Sequence, residues 1–150
     1  MLLAIDPGPS MSGWALMHGS AVRSSGESSN EEMLAMVAMH QGSLAIEMIA
    51  SYGMPVGSEI FDTCVWIGRF LQAHARPASV KLVKRHEVKM HLCGSMRAKD
   101  SHIRQRLIDI YGPGKEAAIG RKSSPGPLYG VKGHAWAALA VGVTAARCSQ

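Results

Sequence analysis

The chain has 150 residues, 47% of them apolar and 18% charged, with a formal net charge of +5 at neutral pH. That length and balance fit one globular domain, residues 1–150, able to bury about two-thirds of its unfolded surface without covalent staples. No stretch is apolar for long enough to span a membrane, and the N-terminus lacks the basic-then-apolar design of a signal peptide. Three cysteines, Cys64, Cys93 and Cys148, are odd in number and far apart, which points to reduced thiols in a cytoplasmic setting and away from a disulfide framework or a zinc site.

The net charge conceals a strong asymmetry. Residues 1–68 carry one Lys or Arg (Arg23) against seven acids, whereas residues 69–132 carry fourteen basic residues against four acids, a local net of +10. Such a concentration favours a polyanionic partner, most simply nucleic acid, over a merely solvated surface.

In chain order, Met1 to Ile5 is an unbroken apolar run closed by Asp6-Pro7-Gly8, the pattern of a strand buried on both faces. Pro7 and Gly8 stop the strand and leave Asp6 on its rim. A carboxylate there either caps the turn or needs a cation, a donor or the mouth of a cleft. Gly13 to Met17 reads as a second strand and Ala21 to Ser25 as a third, joined at Gly19-Ser20, so the chain opens on an antiparallel meander. Gly26 to Asn30 reads as a polar loop. Asn30-Glu31-Glu32 then supplies an N-cap and an acidic first turn for a helix carrying Met33, Leu34, Val37 and Ala38 towards Gln41.

Ser43 to Ile49 is a second buried-strand pattern, with Glu47 among its apolar residues. Glutamate is depleted in strands and almost never buried without a partner. If this strand lies beside the first, Glu47 and Asp6 face each other, and two such carboxylates repel unless a shared proton or a divalent cation holds them. An oxygen-rich pair suits Mg2+ or Mn2+. The plainer reading is a glutamate hydrogen-bonded to neighbouring backbone.

After a loop containing Gly53 and Pro55, Ser58 begins a helix towards His74 whose apolar stripe is Ile60, Cys64, Ile67 and Leu71. Glu59 and Asp62 answer the helix dipole, and Trp66 and Phe70 read as packing residues. Pro77 breaks the chain, and Val80 to Arg85 reads as a strand near a sheet edge. Val88 to Leu92 fits either its continuation or a turn of helix. Gly94 to Lys99 is a basic turn. A helix follows from Lys99-Asp100-Ser101 to Tyr111, with Asp100 or Ser101 as N-cap, Ile103, Leu107 and Ile110 inward, and Arg104 and Arg106 outward. Residues 112–133 form a long loop rich in glycine and proline that carries Lys115, Arg121, Lys122 and Lys132, of a length that is usually functional or disordered. The chain closes on a small-residue helix from His134 to Ala146, suited to close packing on a sheet. His134 stands at its start, either as a packed or capping residue or with its imidazole toward the strand ends.

This order of elements resembles the ribonuclease H-like fold, and within it the RuvC family of Holliday-junction resolvases. Leu3-Ala4-Ile5-Asp6-Pro7-Gly8 with Ser12-Gly13-Trp14-Ala15 is similar to that family's first motif, Leu44-Ala45-Ile46-Glu47 to its second, and Gly133-His134-Ala135-Trp136-Ala137-Ala138-Leu139-Ala140 to its last. The resemblance spans nearly the whole chain. It implies an α/β fold: a mixed five-stranded sheet, three antiparallel strands then parallel strands, with helices on both faces. The Ile-Asp-Pro-Gly turn also opens the sugar-kinase and actin ATPases, whose two lobes need more chain than 150 residues supply.

The resemblance further implies Mg2+- or Mn2+-dependent cleavage of branched double-stranded DNA. Asp6, Glu47 and His134 would be its metal ligands and catalytic residues, with His134 binding an ion or orienting the attacking water. Arg85, Lys89, Arg97, Lys99, Arg104, Arg121 and Lys122 would hold the phosphates, and a homodimer would cut both strands. The setting it implies is the cytoplasm of a bacterial cell or phage-infected host. The sequence departs from the family at one place: the last helix usually carries two acids, or a histidine and an aspartate, three positions apart, and here those positions hold His134 and Ala137. Three outcomes stay open: a working site of Asp6, Glu47 and His134, a site completed by Asp100, or a DNA-binding module with impaired catalysis. A ribonuclease acting on RNA–DNA hybrids is a further alternative on the same fold.

Overall fold

In the computed structural model, which describes residues 1–147, the N-terminal apolar run forms β1 (Leu2–Asp6), the central strand of a five-stranded sheet. β2 (Met11–His18) and β3 (Ala21–Ser29) pair antiparallel on one side of it. β4 (Ser43–Met48) and β5 (Lys81–Lys84) add in parallel on the other, giving the order β3-β2-β1-β4-β5. The α/β architecture and the mixed sheet expected from the motifs are what the chain adopts.

The central strands are buried on both faces, as an apolar run without alternation requires. Leu3, Ile5, Leu44 and Ile46 point to one side, where Met33 and Val37 of α1 (Asn30–Met39) and Ile67 and Phe70 of α2 (Ser58–Ala73) cover them. Ala4, Ala15 and Ala45 point to the other. There they meet a layer built from α3 (Arg85–Cys93), α4 (Asp100–Tyr111), the short α5 (Lys115–Ala118) and α6 (Ala135–Arg147). The small residues of the sheet and the small residues of α6 let that helix lie close, so the start of α6 comes within reach of the strand ends. No helix among the described residues is long and apolar enough to cross a membrane. Cys64 and Cys93 are free thiols, and Cys148 lies outside the described residues.

Several local expectations are corrected. The polar stretch from Gly26 onward continues β3 to Ser29 instead of forming a loop. Ser29, not Asn30, caps α1: its hydroxyl accepts from Glu32 N–H at 3.2 Å while Glu32 Oε2 accepts from Ser29 N–H at 3.1 Å. Asn30 is thereby released to tie the sheet to the turn after Asp6, accepting from Ser12 Oγ at 2.6 Å and donating to the Gly8 carbonyl at 2.9 Å. In α2 the buried stripe is Thr63, Ile67 and Phe70, rotated from the one expected; Thr63 turns inward because its hydroxyl is satisfied by the Glu59 carbonyl at 2.8 Å.

Val88 to Leu92, open between strand and helix, lies in α3 with both end residues buried. Lys99 is the N-cap of α4, and Ile108 replaces Ile110 on its inner face because the helix packs against α3, α5 and α6 together. The segment 112–133 is anchored rather than loose. It contains α5 and a hairpin of β6 (Gly120–Arg121) and β7 (Ser124–Pro125), and it buries Ala118, Leu128 and Val131.

Candidate active site

One row of the sheet carries the acidic residues. β1 and β4 are in parallel register with Ile5 opposite Ile46, so Asp6 and Glu47 come next; across the antiparallel side Asp6 is paired with Gly13, and Gly13 with Glu27. Partners across a sheet point to the same face. Asp6 and Glu47 follow Ala4 and Ala45 by two positions, so this is the face that α6 covers.

The Asp6 and Glu47 side chains are 19% and 14% exposed and hydrogen-bonded to each other. Burial and the adjoining Asp6 carboxylate push Glu47 up from 4.5 to about 7. Burial raises Asp6 as well, opposed by the hydrogen bond from Glu47 and the charge of Arg85 and reinforced by the charge of Glu27. Glu47 therefore keeps its proton to higher pH than a free carboxyl does, and in that form it can donate to Asp6. Arg85, the first residue of α3, has Nη1 3.8 Å from Glu47 Oε1 and is ion-paired with Asp100.

His134 reaches the pair from the start of α6, with Nδ1 3.3 Å from Asp6 Oδ2 and a side chain that is 75% exposed. Gly13 makes this approach possible: a Cβ there would stand 2.5 Å from the His134 backbone. Gly133, at φ +56, turns the chain into α6 directly against the Glu27 carboxylate. Glu27 Oε1 in turn accepts the His134 N–H at 2.7 Å.

Asp6, Glu47 and His134 are thus together, with Arg85 beside them. Asp100 meets the site through Arg85, its own side chain 85% exposed. Ala137 is on the wall of a cleft of about 620 Å³ beside His134, which Arg85, Arg104, Lys132 and Trp136 also line. The Arg104 guanidinium stacks 4.7 Å from the Trp136 ring centre. A smaller cleft of about 210 Å³ opens over Asp6, Glu47, Tyr52 and Arg85.

Of the other basic candidates, Lys89 is half-buried on α3, Arg97 and Lys99 are exposed between α3 and α4, and Arg121 and Lys122 are exposed on the hairpin. These five line neither cleft. Arg121 is already paired with Glu116 at 3.0 Å.

Glu27, Lys132 and Trp136 are the site residues that sequence reasoning did not single out. For Glu27 the signal lay in strand register. A bulge between Leu16 and Met17 leaves Arg23 unpaired and slides the hairpin by one residue. Glu27 rather than Gly26 then stands opposite Gly13.

Among the described residues no three His, Cys, Asp or Glu side chains converge into a closed metal cage. Mg2+ does not require one, because it keeps several waters and is commonly held through one or two carboxylates. Two part-buried carboxyls at the floor of an open cleft, one of them with its proton affinity raised, supply that donor set. Exchanging the proton for a divalent ion would remove the repulsion that raises Glu47.

No protein-family model matches the chain, and no curated protein matches it in sequence. Among solved structures it is similar to T. thermophilus RuvC in complex with Holliday junction substrate, at 19% identity and a TM-score of 0.69 over 99% of this chain and 93% of that one. It is similar also to a Thermus thermophilus RuvC structure at 18% identity and a TM-score of 0.64, over 99% of this chain and 95% of that one. From the first strand to the last helix, the chain has the fold of the RuvC Holliday junction resolvases.

Proposed function

We propose that the protein is a metal-dependent, structure-selective endonuclease that cuts branched DNA, Holliday junctions foremost, by hydrolysing phosphodiester bonds. The observation that carries this reading is the Asp6–Glu47 pair, two part-buried acids from neighbouring central strands whose side chains meet at the floor of one cleft. The likeness in fold to RuvC in complex with Holliday junction substrate supports it.

In this reading Asp6 and Glu47 hold Mg2+ or Mn2+, and His134 completes the site from the α6 side. When bound, such ions lower the pKa of a water and stabilise the attacking and leaving oxygens of an in-line displacement. Arg85 restrains the proton affinity of both acids, so that they can be ionised when substrate arrives. Arg85, Arg104 and Lys132 along the larger cleft offer contacts to phosphate, which position DNA without reading its sequence. A homodimer belongs to the proposal, because paired cuts across a junction need two symmetric sites. The outer face of α2, where Phe61 and Val65 are 61% and 62% exposed, is an apolar surface that such pairing would cover.

A second reading, a DNA-binding module without cleavage, is favoured by Ala137, which offers no donor three positions after His134. Incubation of a synthetic four-way junction, a linear duplex and an RNA–DNA hybrid with Mg2+ separates the readings. Nicking of the junction by the wild type, lost in Asp6→Asn and in Glu47→Gln while binding persists, supports the nuclease. Junction binding without nicking supports the module, and preferential cutting of the hybrid makes it a ribonuclease.

A further inference from the structure

We propose that Glu27 is a positioning residue of this site: from β3 it holds the backbone of His134 so that the imidazole stays against Asp6. The inference rests on the nuclease reading, which does not itself use Glu27.

Three features converge on it. The Glu27 carboxylate accepts the His134 N–H at 2.7 Å, a charge-assisted bond across 107 residues of sequence. Gly13 leaves the space through which the His134 backbone approaches the sheet, and Gly13 stands between Asp6 and Glu27 in one cross-strand row. The bulge at Leu16/Met17 is what turns Glu27 to this face. The His134 ring is 75% exposed and meets Asp6 through Nδ1, so little packing fixes it. Its location depends on where the backbone is held. Three positions after His134 stands Ala137, and the carboxylate that meets the His134 backbone comes from β3.

The rival role is a cap that merely steadies the start of α6, where a carboxylate is favoured by the helix dipole. Two measurements separate the roles. The first is amide hydrogen exchange of His134 in the metal-free protein, which is expected to be slow in the wild type and in Glu27→Gln, whose amide oxygen still accepts the bond, and fast in Glu27→Ala. The second is Mn2+ affinity by calorimetry, expected to weaken about ten- to a hundredfold in Glu27→Ala, as loss of an outer partner of a metal ligand does, and to recover in Glu27→Gln.

Unchanged exchange in Glu27→Ala, or lowered melting temperature with Mn2+ affinity intact, would overturn the proposal. Equal loss of affinity in the Gln and Ala variants would also overturn it, since charge and not the held amide would then matter. If Glu27→Ala does not fold, Glu27→Asp takes its place, one methylene too short for the bond. If the wild type neither binds Mn2+ nor nicks a junction, the nuclease reading fails. The exchange measurement then still decides whether Glu27 holds His134.

Discussion

Asp6 and Glu47 stand side by side on parallel strands and share a hydrogen bond beneath α6. Glu47 is raised from 4.5 to about 7, so between those values the folded protein holds a proton that the unfolded chain has released. Stability of the metal-free protein therefore declines as pH rises through that window, by at most about 1.4 kcal/mol per pH unit. Thermal melts across the window should show the decline, and Glu47→Gln, which cannot ionise, should flatten it. Identical slopes in the two proteins would contradict the raised proton affinity of Glu47.

The charge of Arg85 lowers the proton affinity of both acids. Arg85→Gln should lift Glu47 further, so a divalent ion would compete with a more tightly held proton. Mn2+ affinity measured by calorimetry should then begin to fall at a higher pH than in the wild type, because a more tightly held proton must be displaced. Parallel pH profiles would show that Arg85 does not act on the pair.

Gly13→Ala tests the close approach of α6. Its methyl would stand 2.5 Å from the His134 backbone and must move the start of the helix. Displacement on that scale should slow single-turnover junction cleavage by about a hundredfold, with junction binding retained. Cleavage at the wild-type rate would mean that the place of His134 over Asp6 is immaterial.

Asp6 and Glu47 were legible in the sequence because each breaks an apolar run, and an acid within or ending such a run demands a partner. Their meeting followed from placing the two runs side by side, which parallel β1 and β4 do. Glu27 was hidden by a single bulged residue, Arg23, since a slip of one position exchanges the two faces of a strand. The inner face of α2 was misjudged at Thr63, whose polarity is cancelled by a bond within its own helix. The segment 112–133 reads as loop because its glycines and prolines mask three buried anchors, Ala118, Leu128 and Val131, that no periodicity links.

Ala137→Asp probes the departure from the RuvC pattern. Position 137 lies three residues after His134 on α6, on the wall of the larger cleft. A carboxylate there adds an oxygen donor on the His134 side and should tighten Mn2+ binding by about tenfold, on the scale of a supporting residue at a metal site. Weaker binding than in the wild type would contradict a metal site that reaches from Asp6 and Glu47 to the His134 side.

The most direct measurement is anomalous diffraction from crystals soaked in Mn2+, with data collected on both sides of the manganese edge. Manganese bound by the Asp6 and Glu47 carboxylates, with His134 at its margin, is the expected result. Carboxyls still hydrogen-bonded to each other at saturating Mn2+, with no anomalous peak beside them, would contradict the proposal that this pair exists to hold a divalent ion.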